Sequence, residues 1–285
     1  MVAVKSPVHQ SGTFNIGGDR PIYRLGFGAM RITGKGIWGN HPDPEQCKQV
    51  LKRAIELGVN FIDTADSYGP EVSENLIAEA LYPYPSDLVI ATKGGMTRQG
   101  PDRWLPVGRP EYLTQCVEMS LRRLKLETID LYQFHRIDPK VPLEESLAAL
   151  QKMQIAGKIR HIGLSNFSVA DLEKASQMIK FVSVQNLYNL SNRTSEDILH
   201  YCEKHGIGFI PWFPLECGNL SHRSTLEQLA SRKQATPAQI ALAWLLNRSR
   251  VMLPIPGTAS LDHLEENCAA GAIELSEEEI RSLES

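Results

Sequence analysis

Short apolar runs rich in Val, Ile, Leu and Phe alternate along this chain with longer stretches whose apolar residues recur every three or four positions. The first pattern predicts buried β-strands and the second amphipathic helices. The strands read as Arg24–Ala29, Asn60–Asp63, Leu88–Lys93, Ile129–His135, Ile159–Leu164, Val182–Leu187, Ile207–Trp212 and Val251–Ile255. Helices read as Pro44–Leu57, Glu71–Leu81, Glu111–Leu124, Pro142 to Gly157, a stretch after Ser168, Ser195–His205, Thr236–Asn247 and Leu261–Cys268. Asp43 is placed to cap the first of these helices, and Gly58 and Gly157 are placed to stop two of them.

Eight strands alternating with eight helices, with no linker between them, predict an α/β fold: a closed (β/α)8 barrel filling one domain over residues 1–285. The rival is an open, doubly wound sheet, which usually carries Gly-x-Gly-x-x-Gly after its first strand. The turn here, Gly26-Phe27-Gly28-Ala29-Met30-Arg31, lacks the third glycine, which favours the barrel. Thr13–Ile16 and Pro21–Arg24 around Gly17-Gly18 predict a β-hairpin that plugs the barrel's N-terminal end. Leu275–Ile280 holds a capping box and predicts a short final helix.

Composition adds exclusions. The 285 residues suit a barrel, which needs about 250. A net charge of −3 gives no pull toward nucleic acid or anionic membrane. No apolar run approaches the roughly 18 residues that span a bilayer, and the first residues lack a leader's apolar core. Five scattered cysteines with no Cys-x-x-Cys indicate neither a zinc site nor a disulfide framework. The expectation is a reduced, cytoplasmic protein without a metal, with Cys47, Cys116, Cys202 and Cys268 as small core residues.

The chemistry lies at strand ends. Asp63, Lys93 and His135 each end a different strand, and Tyr68 follows Asp63 by five residues. A parallel barrel gathers such positions at its C-terminal rim. A tyrosine alone is a weak acid, and an ammonium beside it eases proton donation. Lys93 supplies that charge, Asp63 holds it, and His135 can orient a carbonyl oxygen. The set suits carbonyl reduction by hydride transfer, with Tyr68 as general acid.

At these residues the chain resembles the aldo-keto reductases. The stretch Gly58–Gly69, Lys93 in Ala91-Thr92-Lys93-Gly94 and His135 after Asp130–Phe134 are similar to the family's signatures. So are Lys158–Phe167, Val184–Asn189 and Ile255-Pro256-Gly257-Thr258 through Asn267, so the likeness covers nearly the whole chain. The resemblance implies NADPH bound extended across the rim, with NADH a second option, a small carbonyl substrate and a monomer. It implies that Ser165, Asn166 and Gln185 hold the carboxamide and that Trp212 stacks on the nicotinamide. Leu215, Cys217 and Gly218 follow the pyrophosphate, Thr258 and the next helix N-terminus bind phosphate, and Glu266 and Asn267 read the adenine. Ala29, Met30, Asp63, Phe213, Pro214, Ile255, Gly257 and His263 complete the implied cofactor groove. Many members carry Lys at the position of Gly257 and Arg at that of His263, so the charges that grip a 2′-phosphate are fewer here.

The long loop after the third strand holds Trp104, a candidate wall for the substrate pocket. The short tail suggests an open pocket. The likeness extends to the bacterial subgroup that includes pyridoxal reductases, around Glu79–Tyr84 and Ala241–Leu246, which makes pyridoxal a candidate substrate. Two alternatives stand beside the reductase: a non-catalytic nicotinamide-binding redox sensor, and a Schiff-base aldolase using Lys93.

Overall fold

The computed structural model describes residues 6–216 and 224–284. Its strands are β1 (Thr13–Ile16), β2 (Arg20–Tyr23), β3 (Phe27–Gly28), β4 (Phe61–Asp63), β5 (Val89–Gly94), β6 (Met96–Arg98), β7 (Trp104–Pro106), β8 (Ile129–Phe134), β9 (Ile159–Ser165), β10 (Ser183–Leu187) and β11 (Gly208–Trp212). β3, β4, β5, β8, β9, β10 and β11 form one curled parallel sheet in that order. β1 and β2 form the expected N-terminal hairpin, and β6 and β7 form a second hairpin that the sequence did not announce.

The eighth predicted strand, Val251–Ile255, makes no continuous ladder. Pro254 and Pro256 have no N–H to donate. One parallel bridge joins Met252 to Phe209 of β11, with Phe209 N–H to Val251 O at 2.8 Å and Leu253 N–H to Phe209 O at 2.8 Å. On the other side Gly26 N–H and Gly28 N–H donate to the Pro254 and Pro256 carbonyls at 2.9 and 3.2 Å. The segment therefore sits between β11 and β3 and completes the (β/α)8 barrel.

The helices are α1 (Pro7–Gln10), α2 (Pro44–Glu56), α3 (Val72–Leu81), α4 (Pro110–Leu124), α5 (Leu143–Ile155), α6 (Val169–Ser176), α7 (Glu196–His205), α8 (Ser224–Lys233), α9 (Pro237–Arg248), α10 (Leu261–Ala269) and α11 (Glu277–Glu284). Local signals fix their ends. The Asp43 side chain accepts from Gln46 N–H at the start of α2, and Ser168 and Thr236 complete capping boxes on α6 and α9. Ser276 and Glu279 exchange bonds at the start of α11, as the sequence indicates.

Strand residues alternate between two cores. Ile62, Ile90, Tyr132, Ile162 and Val184 pack outward under the helices. Phe61, Val89, Ala91, Leu131, Ile210, Leu253 and Ile255 form an inner cluster, closed by Ile16 and Ile22 of the hairpin. Arg20 fastens that plug, donating to Leu88 O at 3.2 Å and pairing with Asp130 at 3.1 Å. Two residues further along the same inward rows, the apolar layer gives way to Asp63, Lys93 and Gln133. Among the described residues no helix is long and apolar enough to cross a membrane.

Candidate active site

Asp63 ends β4, Lys93 lies near the end of β5, and His135 directly follows β8. Tyr68 stands on the loop after β4. The parallel sheet brings all four together at the C-terminal rim. Lys93 is completely buried, and its ammonium has three donors. They go to Asp63 Oδ2 at 2.5 Å, Thr64 O at 2.8 Å and Tyr68 Oη at 3.2 Å. Burial works against the Lys93 charge, but Asp63 and Tyr68 outweigh it and hold its pKa above the ordinary lysine value.

The other Asp63 oxygen accepts from the amides of Gln133 and Gln185, each at 2.8 Å. Asp63 is therefore shared by one cation and two amides, which makes its buried charge tolerable. Burial raises the Tyr68 pKa, and this exceeds the downward pull of Lys93. The net direction is upward, not the lowering that the neighbouring ammonium alone predicts. Tyr68 accordingly keeps its proton at neutral pH. Its oxygen accepts from Lys93, which leaves the O–H free to donate.

His135 is half-buried, with its Nδ1 3.3 Å from Ser67 Oγ. Burial first, then the charges of Lys93, Arg136 and Arg98, push its pKa well below the ordinary histidine value. It is a neutral imidazole near pH 7, suited to a hydrogen bond rather than to a charge. Trp104 stands edge-on to both rings, with centroids 6.3 Å from Tyr68 and 6.1 Å from His135.

A cleft of about 990 Å³ opens above these groups, at the upper end for small-molecule sites. Its walls include Met30, Asp63, Tyr68, Trp104, His135, Ser165, Asn166, Gln185 and Trp212. It continues along Phe213, Pro214, Leu215, Ile255, Gly257, Thr258, His263, Glu266 and Asn267. Ala29 lies apart from that wall: it is fully buried, and its carbonyl accepts from Ser73 at 3.1 Å. Lys93 lies beneath the floor. Cys217 and Gly218 lie outside the described residues.

Several groups already have partners. The Asn166 amide donates to His135 O and Ser165 Oγ at 3.2 and 2.9 Å, and its oxygen accepts from Trp212 Nε1 at 3.2 Å. Asn166 thus fixes the Trp212 ring. Glu266 accepts from the Thr236 hydroxyl at 2.5 Å. Thr258 Oγ1 accepts from Ser260 N–H at 3.0 Å, and Ser260 caps α10, whose N-terminus faces the cleft.

Gly257 abuts β3 closely. A Cβ added there lies 2.4 Å from the Gly28 carbonyl oxygen and 3.6 Å from Arg31 Cγ. Arg31, which sequence reasoning missed, is exposed on the cleft wall beside Gly257. Among the described residues it has no hydrogen-bond or ion-pair partner. The signal was available: it is the cation next to Met30. Gln133 was missed too, although it sits between Leu131 and His135 on one inward row.

A profile of the Aldo/keto reductase family matches residues 24–285. The chain is 54% identical over 276 residues to an uncharacterized oxidoreductase of Schizosaccharomyces pombe, covering 96% of this chain and 90% of that one. It is 41% identical over 280 residues to pyridoxine 4-dehydrogenase of Escherichia coli, covering 96% and 98%. Among solved structures, an aldo-keto reductase from Klebsiella pneumoniae in complex with NADPH matches with a TM-score of 0.81 and 28% identity, over 95% of this chain and 93% of that one.

Proposed function

Since the chain belongs to the aldo/keto reductase family, we propose that it reduces an aldehyde or ketone to an alcohol at the expense of NADPH, with Tyr68 as proton donor. The observation that carries this reading is the Tyr68 hydroxyl. It faces the cleft with its proton retained and its oxygen accepting from buried Lys93.

The residues of the cleft fit a dinucleotide. Among the described residues the Gln185 carbonyl oxygen has no donor, since only its amide nitrogen is engaged with Asp63 and Gln133, so it can accept from a carboxamide. Ser165 lies beside it. Trp212 offers a large face, held in place by Asn166. Thr258 and the N-terminus of α10 suit a phosphate. Arg31, with no partner among the described residues, supplies a fixed positive charge next to Gly257, where no side chain fits. That charge favours NADPH over NADH.

When bound, the reduced nicotinamide supplies a hydride to the carbonyl carbon. Neutral His135 holds the carbonyl oxygen through a hydrogen bond and keeps it near Tyr68. Tyr68 gives its proton to that oxygen. Lys93 then stabilises the phenolate left behind, while Asp63 balances the lysine charge. Trp104 closes the substrate side. Asp63 and Tyr68 keep Lys93 charged, which disfavours Schiff-base chemistry.

Pyridoxal is the candidate substrate, by analogy with the bacterial pyridoxine 4-dehydrogenase relative. The test follows NADPH and NADH absorbance while pyridoxal and a nitrobenzaldehyde are titrated. We expect oxidation of NADPH with both, and a preference for pyridoxal. Tyr68→Phe should lower turnover by about 10²–10⁴-fold while NADPH affinity stays nearly unchanged. Turnover that survives this substitution refutes Tyr68 as the donor. Tight cofactor binding with no turnover in the wild type supports the sensor reading instead.

A further inference from the structure

Arg98 and Trp104 are register partners across the β6–β7 hairpin. The Arg98 guanidinium lies over the Trp104 ring, with Cζ 3.6 Å from the centroid. A guanidinium has five N–H donors. Here Nη1 donates to Ile37 O at 2.6 Å and Ser67 O at 2.8 Å. Nη2 donates to Gly36 O at 2.9 Å and Gly100 O at 3.3 Å, and Nε to Arg103 O at 3.1 Å. Every acceptor is a backbone carbonyl.

Those carbonyls come from three separate loops: the one after β3, the one after β4, and the hairpin itself. They also bracket Tyr68. Ser67 O accepts from Arg98 on one side, and Gly69 N–H donates to the Ile37 oxygen at 3.3 Å on the other. Trp104 meets the Tyr68 ring at 87° and the His135 ring at 68°. One side chain therefore ties down both the proton donor's backbone and the aromatic wall opposite it.

We propose that Arg98 is a positioning residue: it fixes the Trp104 ring against Tyr68 and His135, so that an aromatic aldehyde docks on a preformed wall. This rests on the reductase reading. Lysine cannot replace it, because an ammonium has three donors and no flat face to lie on the indole. A plain loop staple predicts something different, namely a loss of stability with no selectivity between substrates.

The test compares wild type, Arg98→Lys, Trp104→Ala and the double variant. Each is assayed with an aromatic and a small aliphatic aldehyde, and its melting temperature and NADPH affinity are measured. Arg98→Lys should raise KM for the aromatic aldehyde roughly tenfold and leave the aliphatic one and NADPH affinity within about twofold. In KM for the aromatic aldehyde the double variant should be no worse than Trp104→Ala, because both changes remove the same wall. Losses in that KM that multiply in the double variant overturn the proposal. So does an equal loss with both aldehydes that follows the melting temperature.

Should Arg98→Lys not fold, Arg98→Gln carries the same comparison. If the wild type reduces neither aldehyde, the reductase reading falls, and tryptophan emission of the cofactor-free protein decides the positioning. Arg98→Lys must then shift emission when Trp104 is present and not in a Trp104→Phe background. An unchanged emission in both refutes it.

Discussion

At the scale of single residues, Tyr68 and Asp66 show burial raising the pKa of two acids with different consequences. Tyr68 keeps its proton at neutral pH. Asp66 is buried, and that burial, with the nearby Glu74 charge second, lifts its pKa to about 7. The unfolded chain releases this proton near the ordinary value of 3.8, while the folded chain holds it. Stability therefore falls as pH rises between those two values and stays reduced above them. Asp66→Asn removes the effect. Its melting temperature, relative to wild type, should be higher at pH 8 than at pH 5, by the equivalent of about 1 kcal/mol or more. A pH-independent difference refutes the assignment. Arg31 makes a second residue-scale prediction. It is a cation beside Gly257 with no partner among the described residues, so Arg31→Ala should weaken NADPH binding roughly tenfold and NADH binding little, as read by calorimetry. Equal weakening of both would place Arg31 at a phosphate that the two cofactors share. Asp63, Lys93 and His135 were legible because each follows an apolar strand at its C-terminal end. Gln133 was overlooked because a lone glutamine inside an apolar run signals nothing until Asp63 is seen to need a second donor.

At the scale of elements, strands rich in Val, Ile and Leu were readable to within a few residues. The misses have physical causes. The strands of the β6–β7 hairpin have three residues each, too few to show alternation. Helix α8 buries only Leu226, Leu229 and Ala230, a stripe too thin to stand out from its polar neighbours. Val251–Ile255 reads as a strand from its side chains, yet Pro254 within it and Pro256 just after it forbid a full ladder. Packing at that seam depends on two glycines. A Cβ at Gly28 meets the Ile255 carbonyl oxygen at 2.5 Å, and one at Gly257 meets the Gly28 oxygen at 2.4 Å. Gly257→Ala should therefore destabilise by about 1–3 kcal/mol, visible as a lower midpoint in denaturant. An unchanged midpoint would mean that the two backbones can separate at little cost.

At the scale of the whole molecule, the barrel divides into a lower half that holds it together and an upper half that carries the candidate site. The hairpin plug belongs to the lower half. Ile22→Ala should cost about 2–5 kcal/mol of stability and leave KM for the aldehyde unchanged, since the plug lies at the end opposite the cleft. A large change in KM would show that the two halves are mechanically linked. The overall alternation made this architecture legible from sequence. The placement of Arg98 was not, because its partners are carbonyls from loops far apart in the chain, and such contacts leave no periodic trace.

The proline-containing segment gives the barrel something like a zip. A closed cylinder has no exposed edge only while its last join is shut. Here the join rests on bonds at Phe209, Leu253, Gly26 and Gly28. The cleft passes directly over it at Ile255, Gly257 and Thr258. A molecule lying across those residues is also a clasp on the zip, so occupancy of the cleft and resistance to unzipping must rise together.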